Sequence, residues 1–278
     1  MLGSASTFVA MATLVKYLGG DYPASLQLFY RQIAGCLVIL PMILRSSQPV
    51  FRSPRPGLVV GRAVLSVTGI TLMFYSYQHL PMADANALSF TRALWVVLLA
   101  ALLLGERLDI RRIAATVAGF MGVLLIVNPT GHALNLASLA ALLSALVLGW
   151  SVTGIKSLTN DHSTITIVSW AGVLGLVFSF PAALLVWRWP TPWDALLLGL
   201  MGMFGVINQT CYVKAMSLGD ASVMAPMDYM RMIFAVLSGW LFFGDLPGVR
   251  TLLGAAIIIA STLYITSLQE KKKAAKAS

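Results

Sequence analysis

Apolar residues run along this chain in long unbroken stretches, and each stretch ends at a short polar or Gly/Pro-rich break. A helix needs roughly 20 apolar residues to cross a bilayer's hydrocarbon layer. The pattern predicts ten such helices, over residues 2–19, 24–44, 57–79, 82–104, 111–128, 136–156, 162–187, 193–216, 219–243 and 248–268. Breaks such as Gly19-Gly20-Asp21, Ser53-Pro54-Arg55-Pro56, Asn128-Pro129-Thr130-Gly131 and Pro190-Thr191-Pro192 separate them. The strands of a membrane barrel would instead alternate polar and apolar positions in short segments. Helices and closed barrels are the only spanning solutions, so the expected fold class is an all-α membrane protein.

Composition agrees. Of 278 residues, 58% are hydrophobic and 10% charged, against roughly a quarter charged in a soluble domain. The short connections leave no room for an extramembrane domain. No basic segment precedes a short apolar core and a small-residue cleavage site, so no cleavable signal peptide is expected. Cys36 and Cys211 both lie in apolar spans and read as small core hydrophobes.

The net charge of +9 reports topology rather than a nucleic-acid partner. Ten spans put both termini on one side. If that side is the cytoplasm, its loops and tail carry Arg45, Arg52, Arg55, Arg107, Arg111, Arg112, Lys156, Lys214, Lys271, Lys272, Lys273 and Lys276. The other side carries Lys16, Arg188 and Arg250. Positive charge favours the inside, so both termini are expected in the cytoplasm, in a bacterial inner membrane.

The chain also resembles itself. Thr13 matches Thr153, Lys16 matches Lys156 and Pro41 matches Pro181, each 140 positions on. Arg92 and Arg231, Gly105 and Gly244, Glu106 and Asp245, and Arg111 and Arg250 match at 139. Two five-helix repeats are therefore expected, residues 1–132 and residues 133–278, the second ending in a short basic cytoplasmic tail. Five is odd, so the repeats enter the membrane in opposite senses, an inverted 5+5 arrangement. That is the architecture of secondary transporters, whose site lies near the midplane at the repeat interface.

The stretch "FYSYQHLPMADANALSFTRALWVVLLAALLLGERLDIRRIAATVAGFMGVLLIVNP" (74–129) resembles the EamA domain of the drug/metabolite transporter superfamily, and 212–268 resembles its second copy. The resemblance implies a ten-helix inner-membrane carrier with a central cavity formed mainly by helices 1–4 and 6–9, helices 5 and 10 packing as a supporting pair. Members that the chain resembles include exporters of aromatic amino acids and carriers of adenosylmethionine, riboflavin or nucleotide-linked metabolites. Two positions depart from the family pattern. Ala93 stands where many members have proline, preceded by Arg92 where they have a small or acidic residue, and the second copy ends in Gly244-Asp245 rather than Gly-Glu.

Candidate site residues follow from charge at depth. Arg92 and Arg231 fall near the centres of their spans, where an arginine costs about 2.5–3.5 kcal/mol on insertion scales. Each must face protein, water or ligand. A guanidinium fork suits a carboxylate or phosphate; alternatively it pairs internally, and Asp228 lies three residues before Arg231. Asp228 itself reads as an ion-pair partner or as a proton carrier. Ser89 and Trp95 lie about a turn either side of Arg92. Tyr75 with His79, and Asn208 with Tyr212, share helix faces at i, i+4, and Trp150 and Trp170 sit inside helices six and seven. Aromatic walls around a few polar anchors suit a small amphiphilic ligand, although most membrane aromatics pack or anchor. Trp187, Trp189 and Trp193 read as an interfacial belt.

The expectation is a secondary transporter exporting amino acids, aromatic and other neutral ones, by alternating access. Uptake or exchange of a larger metabolite such as adenosylmethionine, riboflavin or a nucleotide derivative is the alternative. A lipid-modifying membrane enzyme is more remote, because its chemistry needs clustered acids or histidines, whereas ten acids are scattered and His79, His132 and His162 are isolated. No catalytic residue, metal or cofactor is expected. The partners expected are a small-molecule substrate and the lipid bilayer, with a monomer as the functional unit.

Overall fold

A computed structural model describes residues 2–46, 50–51, 53–95, 110–127, 135–158, 162–218 and 230–277. Residues 105–107, His132, Pro226 and Asp228 lie outside the described residues, as do the side chains of Arg112, Thr153, Lys156 and the lysines of the tail. Ten α-helices follow in order among the described residues: α1 (Leu2–Tyr17), α2 (Ala24–Leu44), α3 (Pro56–His79), α4 (Met82–Ser89), α5 (Ile110–Val127), α6 (Leu136–Leu158), α7 (Thr164–Leu184), α8 (Pro192–Leu218), α9 (Met230–Phe243) and α10 (Val249–Ala277). A 3₁₀ turn, Leu18–Gly20, follows α1. Five of these helices, within α2, α3, α7, α8 and α10, are both long and apolar enough to cross a membrane.

Helix ends follow the chemistry of the residues at them. Pro56 and Pro192 open α3 and α8, where a missing N–H costs nothing. The Thr191 hydroxyl accepts from the Asp194 N–H at 3.2 Å and donates to the Asp194 carboxylate at 2.7 Å, a reciprocal cap. Gly244 closes α9 with φ +67°. Its N–H reaches Trp240 O at 3.2 Å, and the Asp245 N–H reaches Gly239 O at 3.0 Å. This is a Schellman closure, and only glycine takes the left-handed φ without cost. The Gly-acid ending of the second copy is thus a helix stop that hands its acid onward. The Asp245 carboxylate pairs with Lys16 at the end of α1, and Lys16 also donates to Leu80 O at 3.2 Å.

The helices pair in a regular way. α3 packs on α6 and α7, α1 on α8 and α9, and α2 fits between α7 and α8. α4 meets α6, α9 and α10, while α5 lies along α10. Large apolar side chains such as Leu40, Met42, Val117, Met121, Leu237 and Leu241 point outward, as a lipid-facing surface requires.

α5 and α10 touch backbone to backbone. A Cβ on Gly254 would stand 2.6 Å from Gly122 O, and one on Gly122 would stand 2.8 Å from Gly254 O. Without a hydrophobic driving force between helices in lipid, such close approach is what holds a pair together. Gly254→Leu should therefore lower the thermal midpoint of the detergent-solubilised protein by several degrees, corresponding to about 1–3 kcal/mol of overpacking. The Lys16–Asp245 pair gives a second expectation. Lys16→Glu and Asp245→Lys should each lower the midpoint, and the double reversal should recover most of the loss.

Candidate functional site

Two joined hollows run through the middle of the bundle. The first holds about 880 Å³ of atom-free space, some of it open solvent, among α1–α4, α6, α8 and α9. The second holds about 630 Å³ among α2, α3, α7 and α8. Arg31, Arg62, Ser66, Ile70 and Gln209 line both, so they mark the junction.

Four arginines converge on the first hollow: Arg31 from α2, Arg62 from α3, Arg92 just beyond α4, and Arg231 from α9. Arg62 and Arg231 are each only 6% exposed. The Arg231 guanidinium stacks over the Phe8 ring at 4.1 Å, a cation–π contact that partly replaces lost water. Arg31 Nη1 donates to Gln32 Oε1 at 3.0 Å, and Gln32 Nε2 donates to Ala171 O at 3.3 Å. None of the described lining residues is acidic. Four described acids are bound elsewhere: Asp245 to Lys16, Asp21 to Arg188, Asp84 to Thr251 at 2.6 Å, and Asp194 to Tyr22 at 2.9 Å. A guanidinium keeps its charge at any relevant pH, and burying one costs several kcal/mol even after relaxation. Among the described residues the lining is therefore strongly cationic.

α4 breaks beside its arginine. Phe90, Thr91 and Ala93 N–H groups bond to carbonyls three residues back, at 3.2, 3.1 and 3.3 Å, before the four-residue pattern returns at Trp95. The Ser89 and Thr91 hydroxyls donate to Asn86 O and Leu88 O, both at 2.7 Å. A tightened turn within a span is tolerated where it lines a cavity, and here it delivers Ser89 and Arg92 to the wall.

Two polar joints tie the helices around the first hollow. Ser66 of α3 and Ser151 of α6 share a hydrogen bond of 2.7 Å. Asn208 of α8 donates to Ser4 O at 2.7 Å and Ser4 Oγ at 3.0 Å in α1. All four side chains line the hollow.

Of the residues singled out from the sequence, Ser89, Arg92, Asn208, Tyr212 and Arg231 share this wall. Of the others, those that are described do not line it. Trp95 packs edge-on against Phe120 of α5 at 5.0 Å. Trp170 packs against Phe51 at 5.6 Å, and Trp150 is half exposed on the outer surface of α6. Tyr75 and His79 stack at 4.2 Å, with His79 exposed at the end of α3. Trp187 packs on Phe29 and Tyr30, while Trp189 and Trp193 are largely exposed. Asp228 lies outside the described residues. Arg31, Arg62 and Gln209 are among the wall residues that the sequence reading passed over; the two arginines are charges inside apolar spans, but nearer the helix ends than Arg92 and without a repeat partner.

Known proteins agree with this architecture. The EamA-like transporter family profile matches residues 1–128 and 135–267. The S-adenosylmethionine uptake transporter of Rickettsia bellii is 28% identical over 261 residues, covering 94% of this chain and 90% of that protein. The riboflavin transporter of Rhizobium johnstonii is 33% identical over 245 residues, covering 88% and 81%. The pseudopaline exporter of Pseudomonas aeruginosa is 28% identical over 267 residues, covering 94% and 92%. A solved crystal structure superposes with a TM-score of 0.68 at 20% identity, covering 97% of this chain and 96% of that one, which shows the shared fold. With its multi-pass helical bundle and family profile in both halves, the chain belongs to the EamA-like transporters of the drug/metabolite transporter superfamily.

Proposed function

We propose that this transporter is a secondary carrier that moves a small organic anion across the bacterial inner membrane by alternating access, with both termini in the cytoplasm. The observation that carries this reading is Arg31 and Arg62 on the wall of one hollow, each with a buried Nε that has no hydrogen-bond partner, beside Arg92 and Arg231 on the same wall. A neutral amino acid, the cargo favoured by sequence, brings an ammonium group as well as a carboxylate. The ammonium would enter a cationic hollow with no described carboxylate opposite it. An anion without that ammonium relieves the buried charge instead. A larger metabolite remains the second reading, supported by the size of the joined hollows and by relatives named for adenosylmethionine and riboflavin.

Helix pairing supports an inverted repeat of residues 1–132 and 133–278. Exchanging α1–α5 for α6–α10 turns the α3–α6 contact into α8–α1, α2–α8 into α7–α3, and α4–α6 into α9–α1. The same exchange leaves α2–α7, α4–α9 and α5–α10 in place. The Ser66–Ser151 and Asn208–Ser4 joints fall on one such exchanged pair, α3–α6 and α8–α1. A pseudo-two-fold around the hollow is the geometry by which carriers expose one site to either side. Lys16–Asp245, Tyr22–Asp194, Arg188–Asp21 and Gln78 donating to Tyr22 O lace one end of the bundle. They support a resting state sealed at the non-cytoplasmic end. Transport direction is an open choice on this scaffold, since relatives are named for uptake and for export.

Arg92 provides the test. In proteoliposomes loaded with a transported anion, Arg92→Ala should reduce counterflow by roughly a hundredfold, the loss expected for a charged bond to a charged group, while circular dichroism and the thermal midpoint stay near wild type. Counterflow at the wild-type rate would take Arg92 out of the transport site.

A further inference from the structure

Resting on the reading of the hollow as the transport site, we propose that Arg31 and Arg62 form a second anion subsite, so that the cargo carries at least two negative groups. One group lies toward Arg92 and Arg231; the other lies at the junction of the two hollows. The chemical class is a small organic dianion with two separate acidic groups, a dicarboxylate being the simplest case.

Three observations converge on the junction. Arg62 is 6% exposed, its Nε has no hydrogen-bond partner, and it lines both hollows. A charge buried to that depth is normally paired, and a bound anion supplies the missing acceptor. Arg31 approaches the same junction from a different helix. The acceptor it meets on a side chain is the neutral Gln32 Oε1 at 3.0 Å, and its own Nε is likewise buried without a partner. Two guanidiniums sharing a wall with no described acid repel one another, which makes the junction a receptor for charge rather than a structural pair.

The third observation concerns how Arg31 is held. Its guanidinium lies flat against α8 at Gly205, where an added Cβ would stand 2.5 Å from Nε and 2.7 Å from Nη2. Glycine at 205 leaves the fork room to lie there at the hollow's edge. One helix turn away, a Cβ on Gly202 would meet Arg31 O at 2.8 Å and Gly35 N at 3.0 Å. The contact between α2 and α8 therefore fixes the Arg31 backbone while Gly205 fixes its fork. Bidentate recognition of a carboxylate or phosphate needs that orientation. Gln209, one turn beyond Gly205, adds an amide to the same wall.

The experiment compares matched anions on the full-length protein in lipid nanodiscs, by thermal shift and by competition of counterflow. Butyrate and succinate differ by one carboxylate at equal length, glycerol phosphate carries two charges on a single group, and leucine stands for the amino-acid alternative. Succinate is expected to compete at least about tenfold better than butyrate and better than glycerol phosphate, whose two charges sit on one group. Arg62→Gln and Arg31→Gln should each lower competition by the dianion far more than competition by butyrate, so that the preference shrinks or disappears. Gly205→Ala keeps every charge but displaces the Arg31 fork, and it should narrow the preference with the thermal midpoint little changed. Should the glutamine variants not fold, Arg62→Lys and Gly205→Ala carry the same comparison. Equal competition by butyrate and both dianions would overturn the second subsite and leave an anion carrier. Competition by leucine alone, or by no member of the panel, would overturn both that subsite and the anion reading.

Discussion

A guanidinium cannot face hydrocarbon. It does not lose its charge at physiological pH, and too deep in a span it does not reach the headgroups. α2, α3, the end of α4 and α9 each carry one inside an apolar span, and all four line a shared hollow. That arrangement governs the helix order around the hollow. α2, α3, the end of α4 and α9 must present one face to the centre, so their apolar faces are left for lipid and for α7, α8, α10 and α6. α5 and α10, which line neither hollow, are free to meet through Gly122 and Gly254 as a purely packed pair.

Glycine does two different jobs in this bundle. At Gly122, Gly254 and Gly202 the atom nearest an added Cβ, or close behind it, is backbone, so these positions set how near two helices approach. At Gly205 and Gly175 the neighbours are the polar ends of Arg31 and Gln32. There the missing side chain makes room for a functional group instead of for a helix. Packing and recognition thus share the α2–α8 and α2–α7 contacts, and the position of the Arg31 fork depends on the approach that its neighbouring glycines allow.

Much of the scaffold was legible in sequence because the bilayer imposes its period so strictly. Nine of the ten helix starts expected from apolar runs fall within two residues of the observed ones, α9 being described only from Met230. Arg92 and Arg231 could be found because they repeat at a fixed offset and sit mid-span. Arg31 and Arg62 do not repeat, and each lies within about two turns of a predicted helix end, where an arginine can snorkel to the headgroups. Only the packing of α2 against α8 and of α3 against α6 and α7 turns them inward. The aromatic residues failed as markers for the opposite reason. Trp95, Trp150 and Trp170 sit at depths suited to a cavity wall, but nothing in a helix's own sequence says which neighbour its face will meet. The break at Phe90 and Thr91 was equally silent, since neither residue interrupts a helix by propensity.

On the proposed inverted repeat, the arginines of the hollow are less symmetric than the helix pairing around them. Exchanging the halves maps Arg92 onto Arg231, yet it maps Arg31 onto Ala171 and Arg62 onto Met201 or its neighbours. Ala171 is the residue whose carbonyl accepts from Gln32, beside Arg31 itself. A pseudo-two-fold machine needs only its moving contacts to be equivalent in both states. In the proposed mechanism the groups that hold cargo have no such requirement, because the same cargo would be held while the surrounding helices rock. Concentrating the extra charge on α2 and α3 would therefore cost nothing in the proposed rocking motion. It gives the hollow a cationic side made by the first repeat, against which a cargo with charge at more than one position acquires a single preferred orientation.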